Sequence, residues 1–291
     1  GGNTYCTREH DSLKISNGKW CWFSRGIGGK TALDYLIKVK ELPFTEAVER
    51  IVGRAAERPS VFHARAQPEK PKTLLLPPKS NSNTRVIAYL KSRGIDGGLI
   101  EQCIRSGQLY ESLPYHNAVF VGMDRNGTPR YACLRGIGTD FKGEATGSDK
   151  RFSFALPATG ESRMLCVFES AIDLLSYATM AQAGGQSWRS QHLLSLARVY
   201  KPQKETQEHR LPLALTQYLK DHAEIKTICL CLDNDMTGRS ATEAIRQQLA
   251  ERYEVASAFP RQGKDYNDWL CIRMGLQPAK ENPMTERSFA R

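Results

Sequence analysis

The second half of the chain alternates short apolar runs with segments of helical periodicity. Apolar runs bounded by turns are typical of strands buried on both faces of a sheet, and strands that alternate with helices predict a parallel sheet. The predicted strands cover residues 164–168, 192–196, 227–232 and 255–259. The predicted helices cover residues 171–182, 213–221, 238–252 and 266–274. We therefore expect an α/β domain over residues 161–275.

The first half carries a different pattern, with shorter predicted elements. Strands are predicted at residues 13–16, 19–23, 118–121 and 130–134, and helices at 31–39, 45–56, 86–91 and 99–105. Thr45 is the expected cap of the second helix, and the turn Asp124-Arg125-Asn126-Gly127 predicts a β-hairpin between the last two strands. We expect a loop at residues 141–154.

These patterns divide the chain into five segments. A small module at residues 1–56 precedes a basic, proline-rich linker at 57–84, in which Leu74-Leu75-Leu76 is the only apolar stretch. A smaller α+β middle domain at 85–160 follows, then the α/β domain at 161–275 and a polar tail at 276–291 that we expect to be disordered.

Composition narrows the class of protein. With 41 Lys and Arg against 31 Asp and Glu, the net charge is +10, which suits a partner such as nucleic acid but is equally typical of a well-solvated basic protein. No run of about 18 apolar residues predicts a membrane span. The eight cysteines form no Cys-x-x-Cys pair and no secretion signal is visible, so we expect reduced thiols and a cytoplasmic location.

Three carboxylates follow predicted buried strands. Glu169 ends the first strand, and Asp233 and Asp235 follow the third. Ligands of open parallel sheets bind beyond the carboxyl ends of the strands, so neighbouring strands would bring these acids together. A cluster of like charges raises its own pKa values unless a cation compensates it, and Mg²⁺ accepts carboxylate oxygens. The sequence therefore predicts a Mg²⁺ or Mn²⁺ site.

Further residues surround this predicted site. Asp173 lies one helical turn after Glu169 and is placed to support it, and Gly238 lets the chain turn into a helix close by. After the last strand, Asp265 and Asp268 are candidate metal ligands, and Lys264 is a candidate contact for nucleotide phosphates. A strand that ends in Asp-Asn-Asp is also typical of a loop with a helix cap, so that stretch alone is ambiguous.

The order of these motifs resembles the toprim family, which is shared by DnaG-type primases, topoisomerases and some nucleases. Phe168-Glu169-Ser170-Ala171-Ile172-Asp173 resembles the family's Glu-Gly-x-x-Asp element, with Ser170 in place of the glycine. Leu232-Asp233-Asn234-Asp235-Met236-Thr237-Gly238 is similar to its Asp-x-Asp-x-x-Gly element. The resemblance implies a mostly parallel sheet flanked by helices and a catalytic role for Glu169, Asp233 and Asp235.

The middle region extends the resemblance towards primases. Tyr89-Leu90-Lys91-Ser92-Arg93-Gly94 looks like the Tyr-Leu-x-x-Arg-Gly opening of the primase polymerase domain. Basic residues here are interleaved with aromatic ones, a pattern that suits single-stranded nucleic acid and is also typical of a solvated hairpin with core aromatics. Beside a toprim site we favour nucleic-acid contact. The basic candidates are Arg93, Arg130, Arg135, Lys142, Lys150 and Arg151.

Residues 5–272 as a whole resemble primase-like toprim proteins carried by conjugative plasmids and transposons of Gram-positive bacteria. The N-terminal module is similar in layout to the primase zinc ribbon, but Trp22 and Arg25 stand where that family has a cysteine pair. Cys6, His10 and Cys21 form an incomplete ligand set, so we expect no zinc there and a core built on the tryptophans instead. We expect this module to be a degenerate zinc ribbon.

Three functions remain open at this point. The resemblance implies primer synthesis on single-stranded DNA with nucleoside triphosphates, in the replication or transfer of a mobile element and beside a helicase or relaxase. The missing ribbon ligands and Ser170 favour a catalytically reduced single-stranded-DNA-binding accessory. A metal-dependent nuclease is the third function, since toprim sites also serve cleavage.

Overall fold

The computed structural model describes residues 4–7, 10–16, 18–57, 73–197 and 211–278, although the side chains at 54–57 are not included. The chain divides into two compact units, Gly1–Glu69 and Lys70–Arg291. Within the described ranges, no helix is both long and apolar enough to cross a membrane.

The first unit contains an antiparallel sheet followed by two helices. Its strands pair in chain order: β1 (Thr4–Cys6), β2 (Leu13–Ser16), β3 (Lys19–Trp22) and β4 (Ile27–Gly29). The helices are α1 (Ala32–Lys38) and α2 (Phe44–Glu57). Leu13, Trp20 and Trp22 form the buried core, as the sequence predicted. Thr45 lies within the first turn of α2 and is not its cap, because the helix already begins at Phe44.

The second unit begins with two helices and a second antiparallel sheet. The helices are α3 (Thr84–Ser92) and α4 (Gly97–Arg105), and the strands pair in the order β5 (Leu109–Glu111), β6 (Ala118–Met123), β7 (Pro129–Arg135) and β8 (Lys142–Glu144). The predicted hairpin is confirmed, and Asp124 Oδ1 accepts hydrogen bonds from the N–H groups of Asn126 and Thr128, both at 3.0 Å. β8 lies in the predicted loop, because three residues around a central glycine carry no alternating pattern.

The end of the predicted linker packs on this sheet. Leu74 and Leu76 contact the apolar face that Val119 and Val121 present. The Leu75 N–H donates to the Thr146 carbonyl oxygen at 2.9 Å, so the segment is also held through its backbone. Residues 73–83 therefore belong to the second unit, because alternate apolar side chains cover a face of the sheet that would otherwise be exposed.

A mostly parallel sheet completes the second unit. Its strand order is β13-β12-β10-β11-β9, and every neighbouring pair is parallel except β11 and β9. The predicted domain boundary at residue 160 separated β9 from this sheet, since a two-residue strand leaves no signal in the sequence. The strands are β9 (Ala155–Leu156), β10 (Met164–Phe168), β11 (His192–Ser195), β12 (Thr227–Cys231) and β13 (Glu254–Ser257). The helices are α5 (Ala171–Ala183), α6 (Leu213–Asp221), α7 (Met236–Leu249) and α8 (Tyr266–Arg273).

Helices cover both faces of this sheet. Leu165 and Val167 point to the core that contains residues of α6 and α7, whereas Cys166 and Phe168 point to the core that contains residues of α5 and α8. The second of these cores continues without interruption into α3 and α4. The middle elements and the parallel sheet therefore share one hydrophobic core, which holds the two in a fixed relation.

Candidate active site

The ends of two neighbouring strands bring the predicted carboxylates together. β10 and β12 pair in parallel with Phe168 opposite Cys231, so Glu169 and Asp233 leave the sheet side by side. The Asp233 N–H donates a hydrogen bond to Glu169 Oε1 at 3.2 Å. The strand adjacency on which the prediction depended is therefore present, and it follows from the parallel topology.

Asp235 combines the two roles that the sequence left open for it. Its Oδ1 caps α7 by accepting a hydrogen bond from the Gly238 N–H at 2.9 Å. Its Oδ2 lies 3.6 Å from Lys264 Nζ, which is also 3.9 Å from Asp233 Oδ2. Asn234 is held differently, since its N–H donates to the Lys264 carbonyl oxygen at 2.7 Å. The cap thus fixes one oxygen of Asp235 and leaves the other beside Lys264, which also contacts Asp233.

The remaining predicted acids form a layer behind this pair. Asp173 is buried, and it accepts hydrogen bonds from the Ser170 hydroxyl at 2.6 Å and from the Asn267 N–H at 3.3 Å. Asp265 caps α8 and accepts from the Asp268 N–H at 2.7 Å, and Asp268 Oδ2 accepts from the Lys264 N–H at 3.0 Å. These acids therefore position the helix starts and Lys264.

Burial and mutual repulsion oppose ionisation of this cluster. Burial raises the pKa of Asp233 to about 9, and the charges of Asp173 and Glu169 add to the shift. Burial likewise raises the pKa of Glu169, and it raises the pKa of Asp265 to about 7 together with the charge of Asp173. Lys264 opposes the shift at Asp233 and Glu169 only in part. Such a set of oxygen donors with too little positive charge fits a hard divalent cation.

The spacing of the oxygens limits how such an ion is held. Within the described part of the chain, two groups of three side chains bring their ligand atoms within 4.8 Å of one another, and neither includes these carboxylates. Mg²⁺ in proteins often has only one or two direct carboxylate ligands and completes its shell with water and phosphate oxygens, which suits this looser arrangement.

A cleft of about 670 Å³ opens in front of the carboxylates. One wall carries Glu169 and Asp233 from the parallel sheet, and the other carries Arg135, Phe141 and Lys142 from β7, β8 and the turn between them. Phe141 is half exposed, so its ring is open to a ligand in the cleft. The cleft thus places acidic groups opposite basic and aromatic ones.

Only half of the predicted basic residues line this cleft. Arg93, Arg135 and Lys142 line it, whereas the other three are not lining residues and are held in ion pairs, one of them with Glu144 at the edge of the cleft. Those pairs are Arg130 with Asp124 at 3.9 Å, Lys150 with Glu144 at 3.3 Å and Arg151 with Asp149 at 2.6 Å. Among the aromatic residues, Phe141 and the buried Tyr131 line the cleft, whereas Phe154 is a core residue outside it. Alternation along the sequence did not distinguish the two sets, because it depends on which strand face each residue occupies.

Asn267 is a site residue that the sequence analysis did not single out. Its side chain is 1% exposed, and its Nδ2 donates to the Arg93 carbonyl oxygen and to the Ser176 hydroxyl, both at 2.9 Å. Its Oδ1 accepts from Arg93 Nε at 2.8 Å. The amide therefore fixes Arg93 at the cleft. The available signal was the position of this asparagine between Asp265 and Asp268, the two candidate metal ligands that follow the last strand.

Two family models match the second unit. One, described as a protein of unknown function (DUF3991), matches residues 88–160, and the other, described as Toprim-like, matches residues 166–270. Residues 166–270 form a Toprim-like domain. This confirms the predicted domain type, and the toprim domain contains Glu169, Asp233, Asp235 and Lys264. Arg135 and Lys142 on the opposite wall of the cleft lie in the segment matched by the DUF3991 family model.

Similar proteins extend the comparison over most of the chain. An uncharacterised protein of Bacillus anthracis is 26% identical over 86% of this chain and 72% of its own length. The primase fragment of the bacteriophage T7 primase-helicase is 18% identical over 91% of this chain and 90% of that one, with a TM-score of 0.45. The Aquifex aeolicus primase (zinc-binding and RNA polymerase domains) is 16% identical over 93% and 74%, with a TM-score of 0.42.

Proposed function

We propose that the chain is a divalent-metal-dependent nucleotidyltransferase that synthesises short primers on single-stranded DNA. The observation that supports this most is the cleft in which Glu169 and Asp233 face Arg135 and Lys142. Template-directed polymerisation needs both walls of the cleft. The nucleoside triphosphate requires divalent cations held by the acidic wall, and the template strand requires basic side chains on the opposite wall. The degenerate zinc-ribbon module and the context of a mobile element, with a helicase or relaxase as partner in the cytoplasm, stay predictions.

Each residue of the acidic wall has a proposed part. Glu169, Asp233 and Asp235 hold the metal, Asp265 and Asp268 are further candidate ligands, and Asp173 supports them from the core. A bound Mg²⁺ or Mn²⁺ ion supplies positive charge for the attacking 3′-hydroxyl and for the departing pyrophosphate. Lys264 contacts the triphosphate, because its Nζ already lies beside both aspartates of the motif.

Ser170 does not weaken the proposal. The serine stands where the family has glycine, but it caps α5, accepting a hydrogen bond from the Asp173 N–H at 3.3 Å and donating one to the Asp173 carboxylate at 2.6 Å. Its side chain therefore orients a buried acid of the site, and the departure from the family pattern is accommodated locally.

Primer synthesis is directly measurable. The full chain, given single-stranded DNA of mixed sequence and labelled ribo- or deoxynucleotides, is expected to make short oligonucleotides only when template and Mg²⁺ or Mn²⁺ are both present. Glu169→Gln should remove the product, whereas Glu243→Gln, a carboxylate-to-amide change on the exposed side of α7, should leave it unchanged.

An absence of oligonucleotide with either metal contradicts the proposal. DNA binding that then persists in Asp233→Ala and ignores metal would support the single-stranded-DNA-binding accessory. Nicking of supercoiled plasmid would instead support a toprim nuclease.

The cleft also predicts which basic residues bind the template. Arg135→Gln and Lys142→Gln are each expected to weaken binding to single-stranded DNA by about 3–10-fold at moderate salt and to lower the salt slope by about 0.7, the value for one phosphate contact. Arg151→Gln removes an equal charge, but this arginine pairs with Asp149 away from the cleft, so its effect should stay below about 2-fold. Fluorescence anisotropy at several salt concentrations measures both quantities. Equal losses in all three variants would mean that net charge alone binds the DNA.

A further inference from the structure

Two histidines and a glutamate meet at the other edge of the toprim sheet. His192 is the first residue of β11, His222 follows the last residue of α6, and Glu224 lies in the turn before β12. The parallel strands begin at this edge, whereas Glu169 and Asp233 follow their carboxyl ends. The histidine cluster and the carboxylate site are therefore separated by about 13 Å, the length of four strand residues.

The ligand atoms of the three side chains lie close together. His222 Nδ1 is 3.0 Å from Glu224 Oε1, and His192 Nε2 is 3.9 Å from the same oxygen. One nitrogen or oxygen of each side chain falls within 4.8 Å of the other two. Tetrahedral ligands at the usual zinc bond lengths lie about 3.4 Å apart, so the observed distances bracket the required spacing.

His192 supplies a second, independent observation. The residue is only 3% exposed, and its Nε2 has no hydrogen-bond partner among the described residues. A buried ring nitrogen without a partner is rare, since most buried polar atoms are satisfied. The other ring nitrogen, Nδ1, lies 3.0 Å from the Tyr218 hydroxyl, and the Ala158 N–H is 3.5 Å from it. Nε2 therefore faces Glu224 and His222 with its bonding capacity unused.

We propose that His192, His222 and Glu224 form a binding site for a transition-metal ion, and that the ion is Zn²⁺. Two imidazoles and one carboxylate are a ligand set that suits zinc, whereas Mg²⁺ prefers the all-oxygen ligands at the opposite edge. Metal binding at Nε2 requires the Nδ1–H tautomer, in which the Tyr218 hydroxyl accepts the Nδ1–H and orients the ring, and the long 3.5 Å bond that the Ala158 N–H donates to Nδ1 is given up. Three protein ligands leave a fourth position for water.

A metal here connects elements that are far apart in sequence. His222 and Glu224 belong to the connection between α6 and β12, and His192 opens the neighbouring part of the sheet at β11. Zinc would tie this connection to the sheet and so restrain the start of β12, the strand whose other end carries Asp233. The site is separate from the proposed polymerase chemistry and does not depend on it.

Zinc titration of the chelator-treated full chain tests the site. With excess Mg²⁺ present to occupy the carboxylates, we expect one Zn²⁺ to bind per chain and to raise the thermal midpoint. His222→Ala should weaken binding by about 100-fold or more, and Tyr218→Phe by about 10-fold. Glu224→Gln should weaken it by at least about 10-fold, and because Glu224 is exposed this variant is informative even where His222→Ala fails to fold.

A matched histidine and a spectroscopic probe separate this site from other zinc ligands. His116→Asn removes a histidine that pairs with Glu111 at 2.6 Å but belongs to no three-ligand group among the described residues, so zinc affinity should not change. Cys166, Cys229 and Cys231 also bring their sulfur atoms within 4.8 Å of one another. Co²⁺ bound to those thiolates gives a sulfur-to-metal charge-transfer band, whereas Co²⁺ bound to imidazoles and a carboxylate does not.

The zinc-binding results distinguish this site from the alternatives. Zinc affinity that falls in His222→Ala and Glu224→Gln, persists in His116→Asn and Asp233→Asn, and shows no thiolate band with Co²⁺ supports the site. A thiolate band, equal affinity in all variants, or no binding tighter than about 10 μM overturns it. Persistence in Asp233→Asn also keeps this result independent of the primer-synthesis assay.

Discussion

Asp233→Asn is expected to abolish primer synthesis and at the same time to stabilise the protein when metal is absent. Ionisation of Asp233 is strongly opposed, with a pKa raised to about 9 by burial and by the charges of Asp173 and Glu169. Asparagine keeps the shape and removes the charge. Loss of one ligand from a metal that stabilises the transition state is expected to lower the rate by about 10³-fold or more.

The sign of the stability change follows from linkage. A carboxyl whose folded-state pKa lies above its unfolded value of about 3.9 contributes stability below that value and loses it as the pH rises towards the folded pKa. For Asp233 the loss spans roughly pH 4 to 9. At pH 8 in EDTA, Asp233→Asn should therefore be more stable than the wild type by about 2 kcal/mol, or about 5 °C in Tm.

Thermal melts at two pH values check this prediction. The wild type in EDTA should lose stability between pH 5 and pH 8, and the variant should lose less over the same interval. Added Mg²⁺ should raise the Tm of the wild type at pH 8 and leave that of the variant nearly unchanged. A variant that is less stable than the wild type at pH 8, or that still responds fully to Mg²⁺, would contradict a metal site at this carboxylate.

Gly238→Ala is expected to have the second largest effect. A Cβ at this position would lie 2.2 Å from the Asp233 carbonyl oxygen and 2.9 Å from Glu169 Oε1, so one or both residues must shift. Overpacking of this kind costs about 1–3 kcal/mol, and a displacement of about 1 Å in a reacting group lowers activity by about 100-fold. Urea unfolding and the primer assay measure the two losses.

A second glycine-to-alanine change supplies the control. Gly53 lies in helix α2, and a Cβ there would meet nothing within 4 Å. Because glycine is a poor helix former, Gly53→Ala should raise the stability of its own unit by about 0.5–1 kcal/mol and leave primer synthesis unchanged. Helix propensity alone would predict the same gain for Gly238→Ala. Full primer-synthesis activity in Gly238→Ala would show that the close approach of this residue to Glu169 has no functional role.

Much of the toprim domain was predictable from local pattern. The strand Met164–Phe168 was predicted at both bounds, and β12 and α6 agree to within a residue. Parallel topology then required that acids after adjacent strands meet at one edge, so Glu169 and Asp233 were expected to be neighbours if their strands were adjacent, and the structure shows that they are. Apolar runs and helical periodicity depend on near neighbours in the chain, and sequence displays these directly.

The contacts between elements were decided by tertiary packing. Arg135 and Lys142 reach the cleft while Arg130 and Lys150 do not, because the position of each residue in the folded sheet and its loops selects between residues of the same type. Asn267 holds Arg93 across 174 positions of sequence. No pattern within either segment records such a pairing, since it exists only once the shared core has packed.

The two edges of the toprim sheet show the same division. At the carboxyl edge, the acids belong to strand ends that the sequence already marked, and the adjacency of β10 and β12 in the sheet then brings them together. At the amino edge, His192 lies 30 positions from His222, and their separation matches no metal-binding spacing. Periodicity and motif order determined the elements and the acidic site, whereas the strand order and the fold of the connection between α6 and β12 alone decided that these histidines meet, because side-chain proximity between distant segments arises only from packing.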